Sequence, residues 1–209
     1  MNKGTRLPPT PRPETPPRQR ILVAARELFY EHGIRAVGVE AIAERAATNK
    51  MTLYRHFGSK DELVAAYLQD LADEGEARWQ ALIAATPHDF AAQLEGWLRH
   101  VEEVVNDCGD RGCPIANAAV ELRETEHPAR RIIEDYKSRK RERLISLFRG
   151  AGYGEPEALA DEVFLLFEGA RISRQCCATP GPQSRLIAML RSLLARHPRA
   201  PGRSSPRRS

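Results

Sequence analysis

Between Val39 and Lys60 the chain reads VEAIAERAATNKMTLYRHFGSK. Val39, Ile42, Ala43 and Ala46 recur at i, i+3, i+4 and i+7, the spacing of a short helix with one apolar face. Leu53 and Phe57, four apart, give a second helix its inner face over about Lys50 to Phe57, with Met51 flanking them. Ala46-Ala47-Thr48-Asn49 is left for the turn, and Thr48 or Asn49 is placed to accept from the free N–H groups of the next helix. Gly58-Ser59 ends the second helix, and Ser59 is placed to cap a third that opens Lys60-Asp61-Glu62. Two short helices about so tight a turn have the layout of a helix-turn-helix, whose second helix enters the DNA major groove.

The residues left outside suit that role. Lys50 and Arg55 can neutralise phosphates, Thr52 can meet a base edge or a thymine methyl, and Tyr54 holds a hydroxyl on a rigid arm. Lys60 stands at a helix N-terminus, where backbone N–H groups also attract phosphate. The competing reading is an ordinary amphipathic helix pair with a solvated face. Charge distribution favours the first: residues 1–60 carry 11 Lys and Arg against 5 Asp and Glu, net +6. Residues 61–195 carry 16 against 23, net −7, and the end from Arg196 carries five Arg and no acid. The positive sign falls on the helix-turn-helix.

Leu53-Tyr54-Arg55-His56-Phe57-Gly58-Ser59-Lys60, preceded by Ile42-Ala43-Glu44-Arg45-Ala46, resembles the DNA-binding domain of the TetR/AcrR family of bacterial transcriptional regulators, over roughly residues 18–78. The resemblance implies an all-α homodimer that represses transcription from a palindromic, double-stranded operator until a small-molecule effector binds the body. It implies phosphate contacts from Tyr54 and Lys60, with Lys50, Met51, Thr52 and His56 at the groove. Two departures stand out. Ala47 occupies a turn position where the family usually has Gly, and a left-handed Ala there would cost on the order of 1 kcal/mol. Gly38 stands where a Ser or Thr often caps the first short helix.

The 209 residues, 42% hydrophobic and 29% charged, are enough for one large or two small domains with a sizeable core. The pattern predicts an N-terminal three-helix DNA-binding domain at 18–78 (motif 39–60) and a helical ligand-binding and dimerisation bundle at 79–196, about nine helices in all. Residues 1–17 and 197–209, basic and rich in Pro and Arg, read as disordered tails. No signal-peptide core and no run of roughly 18–20 apolar residues appears, so a cytoplasmic chain without membrane association is expected.

Along the body, helices are expected from Pro17 to Glu31, Lys60 to Ala85, Asp89 to Asn106, Pro114 onward, His127-Pro128 to Arg149, Pro156 to Cys177, and from Thr179-Pro180 to Arg196. The long Lys60–Ala85 helix joins head to body and is the natural lever between them. Leu186, Leu190 and Leu193, with Leu166 on the preceding helix, give a broad apolar face on which a second copy is expected to dock.

Four cysteines are too sparse for a disulfide framework, and no zinc-type spacing occurs. Cys113, next to the loop holding Arg111, reads as a buried packing residue or, alternatively, as a thiol or electrophile sensor. Glu124-x-x-His127 is a single copy of a spacing that di-iron bundles need twice, and Pro128 takes Glu124 off a shared face, so no metal or other cofactor is expected. Trp97, His100, Cys113, Asn117 and Arg171 lie where the resemblance implies an effector pocket. No nucleophile–base pair or phosphate-cradling loop supports catalysis, so no enzyme is expected. The remaining alternative is a helical interaction protein without operator binding.

Overall fold

The computed structural model describes residues 15–107, 111–177 and 181–199. The fold is all-α. The described residues form α1 (Pro17–His32), α2 (Val39–Arg45), α3 (Lys50–Phe57), α4 (Lys60–Ala85), α5 (Phe90–Asp107), α6 (Pro114–Glu121), α7 (Ala129–Gly150), α8 (Pro156–Cys176) and α9 (Leu186–Arg196). A short 3-10 turn, Pro182–Arg185, precedes α9. Among the described residues no helix is long and apolar enough to cross a membrane.

The chain packs as two compact units. One comprises the described residues through Ala77 together with 111–136; the other comprises Arg78 to residue 107 and Lys137 to residue 199. This differs from a cut after residue 78, because α6 and the first turns of α7 belong with the helix-turn-helix. Ile115, Ala118, Leu122, Ala129 and Ile133 share one buried core with Ile21, Phe29, Ile42, Leu53, Leu63 and Leu68. Helices α4 and α7 contribute residues to both units.

Local chemistry sets the ends in the first unit. Pro17 opens α1, where its missing N–H removes no helical bond. Gly33 closes it at φ 86° with its N–H on the Phe29 carbonyl at 3.0 Å. A Cβ at Gly33 would lie 3.0 Å from the Glu121 carboxylate, so both φ and space demand Gly there. The α7 helix begins at Ala129 rather than at His127-Pro128. His127 stands before it and accepts the Ala129 N–H on Nδ1 at 3.1 Å, leaving Glu124 off any shared helical face.

In the second unit α5, α8, α9 and the 3-10 turn enclose Leu94, Trp97, Leu98, Val101, Phe148, Leu159, Val163 and Leu190. Asp89 caps α5 by accepting the Ala92 N–H at 2.9 Å, so the helix starts one residue later than the apolar pattern indicates. The expected cap at Thr179-Pro180 lies outside the described residues, as do Cys108 and the tails at 1–14 and 200–209. Residues 197–199 do not behave as tail: the Gly154 N–H donates to the Pro198 carbonyl at 3.0 Å, and Arg199 pairs with Tyr153.

The expected docking face is corrected by the same packing. Leu186, Leu190 and Leu193 are buried in their own chain's core, and Leu166 packs partly buried against it. The stripe is broad because α9 faces both α5 and α8. The large apolar residues exposed on α8 and α9 are instead Leu165 (70% exposed), Ile172 and Met189.

Candidate nucleic-acid interface

Helix α3 is fixed from beneath and capped at its start. Leu53 and Phe57 are buried, and the Asn49 side chain accepts the Thr52 N–H at 2.9 Å. The Ser59 hydroxyl likewise accepts the Glu62 N–H at 3.0 Å at the start of α4. Of the two turn residues able to cap α3, Asn49 does so.

The turn itself is a Schellman motif. The Thr48 N–H reaches back to the Ala43 carbonyl at 2.9 Å, and the Ala47 N–H to the Glu44 carbonyl at 3.0 Å. That pattern needs a left-handed residue after the cap, and Ala47 adopts it at φ 49°. Arg20 from α1 clamps the same corner, donating to the Ala46 carbonyl at 3.0 Å and the Ala47 carbonyl at 3.2 Å. The carbonyl-rich, negative end of α2 is thus met by a cation. Gly38 caps α2 with extended backbone and no side-chain bond.

On the outer side Lys50, Met51 and Arg55 are exposed, Met51 at 78%. Thr52 and Tyr54 are half-buried, and Tyr54 packs against the core. Lys50 is not idle in the absence of DNA. Its Nζ lies 2.7 Å from Glu40 on α2 and 5.9 Å from the centre of the Tyr54 ring. The hydrogen bond that Lys50 donates to Glu40, and then that carboxylate's charge, hold the Lys50 ammonium above its ordinary pKa.

His56 and Lys60 are less outward than their spacing indicates. His56 is half-buried, and its Nε2 is enclosed with no hydrogen-bond partner among the described residues. Lys60 donates to the Ile34 carbonyl at 2.7 Å, tying the start of α4 to the α1–α2 loop. Burial lowers its pKa, opposed by Asp61 and Glu121. An ammonium has three protons, so this bond leaves donors for a phosphate.

Arg18, over the Phe57 ring at 5.0 Å, Arg20 and Glu40 were not singled out by the sequence pattern. Arg20 follows Pro17 by three residues on a helix whose stripe is legible. Nothing local announces which carbonyls it reaches, because its partners are 26 and 27 residues away.

The five body residues expected to line an effector pocket divide between the units. Cys113 and Asn117 belong to the first. Cys113 is buried and caps α6, its Sγ accepting the Ala116 N–H at 3.4 Å; Asn117 donates to the Arg111 carbonyl at 2.7 Å. Trp97, His100 and Arg171 belong to the second. Trp97 is core, edge-on to Phe148 with ring centres 6.4 Å apart. His100 is half-buried, and burial first, then the charges of Arg78, Lys140 and Arg171 against that of Glu103, keep its imidazole below the usual pKa. Among the described residues no group of three or more His, Cys, Asp or Glu is placed to hold a metal ion.

Residues 21–67 match the family described as bacterial regulatory proteins, tetR family. A stretch of 71 residues is 44% identical to the HTH-type transcriptional activator FasR of Mycolicibacterium smegmatis, covering 34% of this chain and 30% of that protein. A 65-residue stretch is 40% identical to the HTH-type transcriptional regulator UidR of Escherichia coli, covering 31% and 33%. The matches therefore span about a third of the length of these curated relatives. The whole fold is similar to the crystal structure of a TetR-family transcriptional regulator from Streptomyces coelicolor, with TM-score 0.79, 26% identity, and coverage of 86% of this chain and 94% of that one.

Proposed function

We propose that this TetR-family chain is a homodimeric, sequence-specific DNA-binding transcriptional regulator of the bacterial cytoplasm, a repressor released from a palindromic operator by a small ligand. The observation that carries the DNA-binding reading is α3. Its Leu53–Phe57 face is buried while Lys50, Met51 and Arg55 stand in solvent and Thr52 is partly open. Such a helix can lie in the major groove without unpacking the domain.

In this reading Lys50, Met51 and Thr52 meet base edges, Tyr54, Arg55 and Lys60 meet phosphates, and His56 braces α3 from its half-buried site. Glu40 gives up Lys50 when DNA binds. A second copy docks on the exposed residues Leu165, Ile172 and Met189 of α8 and α9. It sets two recognition helices about one DNA turn apart, roughly 34–36 Å. The ligand acts on the body, and α4, with residues in both units, carries the change. Cys113 is enclosed and already bonded, which speaks for a structural thiol rather than a sensor.

The test is selection of preferred duplexes from a random pool, followed by titration of variants. Lys60→Ala should weaken binding to every duplex and lower the salt slope by about one unit. Thr52→Ala and Lys50→Ala should lose roughly 1–3 kcal/mol on the selected site and much less on random DNA. Equal losses on both duplexes for all three variants would refute the assignment of readout. In cells, deletion of the gene should raise transcription from promoters carrying the selected site.

A further inference from the structure

Lys50, the first residue of α3, is already engaged on the recognition face. Its Nζ donates to Glu40 Oε1 on α2 at 2.7 Å. Both partners face solvent: the Glu40 side chain is 70% exposed and that of Lys50 51%. The same ammonium lies 5.9 Å from the centre of the Tyr54 ring, so a carboxylate and an aromatic face are its neighbours.

The carboxylate is itself placed by the start of α2. That helix begins at Gly38 with no side-chain cap, and a Cβ on Gly38 would lie 3.5 Å from Glu40 Oε2. One oxygen therefore turns back toward the start of α2 while the other reaches Lys50. The hydrogen bond donated by Lys50, and then that from the backbone N–H of Glu40 itself, keep this carboxyl below its usual pKa.

An exposed pair of this kind contributes little to stability. Its place on the recognition face gives it a different consequence. Any group on DNA that takes the Lys50 ammonium must displace a carboxylate already bonded to it. A phosphate offers a like-for-like exchange, one anionic oxygen for another, and is left close to the freed negative charge. Guanine offers two acceptors, N7 and O6, inside the groove. Phosphates occur on every duplex, whereas that acceptor pair occurs only at particular sequences. An acid beside a recognition-helix lysine thus acts against binding that rests on phosphate alone, which is how a repulsive element creates specificity.

Resting on the operator-binding reading above, we infer that Glu40 is a specificity-determining residue that acts through Lys50. By competing for the Lys50 ammonium it suppresses binding to sequence-random duplex, and only base acceptors in the operator draw that lysine away.

The test uses full-length protein and fluorescence anisotropy on the selected duplex and on a scrambled duplex of the same composition, between about 50 and 200 mM salt. Glu40→Gln removes the competing charge and frees Lys50 for phosphates. The scrambled duplex should then bind roughly three- to tenfold more tightly, with a salt slope steeper by about one unit, the mark of one added phosphate contact. Glu44→Gln is the charge-matched control, removing an acid from the same helix while leaving the Lys50 pair in place. Glu40 and Glu44 are both exposed, so neither change opens the core. The selected duplex, where Lys50 is already on a base, should tighten no more in Glu40→Gln than in Glu44→Gln. In a Lys50→Ala background the two changes should have equal effects. A ratio of selected to scrambled affinity that Glu40→Gln leaves unchanged, or lowers no more than Glu44→Gln does, overturns the inference while the operator-binding reading stands. So does an effect of Glu40→Gln that persists without Lys50. A wild-type ratio near one overturns both.

Discussion

Ala47 is the one described residue of the helix-turn-helix held in left-handed backbone without being Gly, at φ 49°. Ala47→Gly removes the methyl of an exposed residue. The backbone bonds that define the corner, from Thr48 and Ala47 to Ala43 and Glu44, stay available, as do the carbonyls that Arg20 holds. Relief of left-handed strain is worth about 1–2 kcal/mol. Against it, Gly adds conformational freedom to the unfolded chain, costing about 0.4–1 kcal/mol. The net expected gain therefore centres on about 0.8 kcal/mol, all of it local to the first unit.

The assay must look at that unit. Both tryptophans, Trp79 and Trp97, lie in the other one, so their fluorescence is blind to the change. Native-state amide exchange of Ile42, Leu53 and Leu63 reports on it directly, and those amides should exchange roughly two- to fivefold more slowly in Ala47→Gly. Ala46→Gly, one residue back at φ −81° and buried, should do the reverse. Faster exchange in Ala47→Gly would refute the claim that the corner is strained, and would place the stabilisation in the alanine methyl instead.

Glu168→Gln should flatten the acid limb of the second unit's stability. Burial would raise the folded pKa, but Lys140 and Lys137 bring it down to about 2, so the contribution is complete above about 4.5 and is lost as pH falls toward 2. The amount at neutral pH is of order 3 kcal/mol, read from tryptophan fluorescence during urea unfolding at pH 7 and pH 3. Leu165→Glu combined with Ile172→Glu should give folded monomers by light scattering, whereas Leu190→Glu should unfold the second unit because that side chain is fully enclosed. Gly33→Ala should destabilise the first unit by more than 1 kcal/mol in thermal unfolding, since both φ 86° and the Glu121 carboxylate oppose a methyl.

What the sequence made legible was what local spacing controls. The α2–α3 pair, the Ser59 cap, the Pro17 start of α1 and the full span of α4 all follow from periodicity and punctuation within a few residues. The left-handed corner was legible too, as a conditional cost, because a helix that ends so close to the next one has few ways to turn. Long-range partners were not. Glu40 for Lys50, the Ile34 carbonyl for Lys60, and Arg20 for the α2 carbonyls depend on which helices meet and at what angle.

The misplaced docking face has the same origin, and its correction has a consequence for the assembly. A hydrophobic stripe states that something covers it, not what. Leu186, Leu190 and Leu193 satisfy that demand within one chain, since α9 lies against α5 and α8. A dimer built on α8 and α9 must therefore use their outer sides, where Leu165, Gly169 and Ile172 follow one another at i, i+4 and i+7 on α8. Gly169 carries no side chain, and a Cβ there would meet nothing within 4 Å. An open glycine between two exposed apolar residues lets a facing helix come close at that point. Gly169→Leu should accordingly weaken dimerisation while leaving the monomer's thermal stability nearly unchanged. Dilution followed by light scattering measures the first and thermal unfolding of the monomeric form the second. A dimer as tight as wild type in Gly169→Leu would place the twofold axis away from this face of α8.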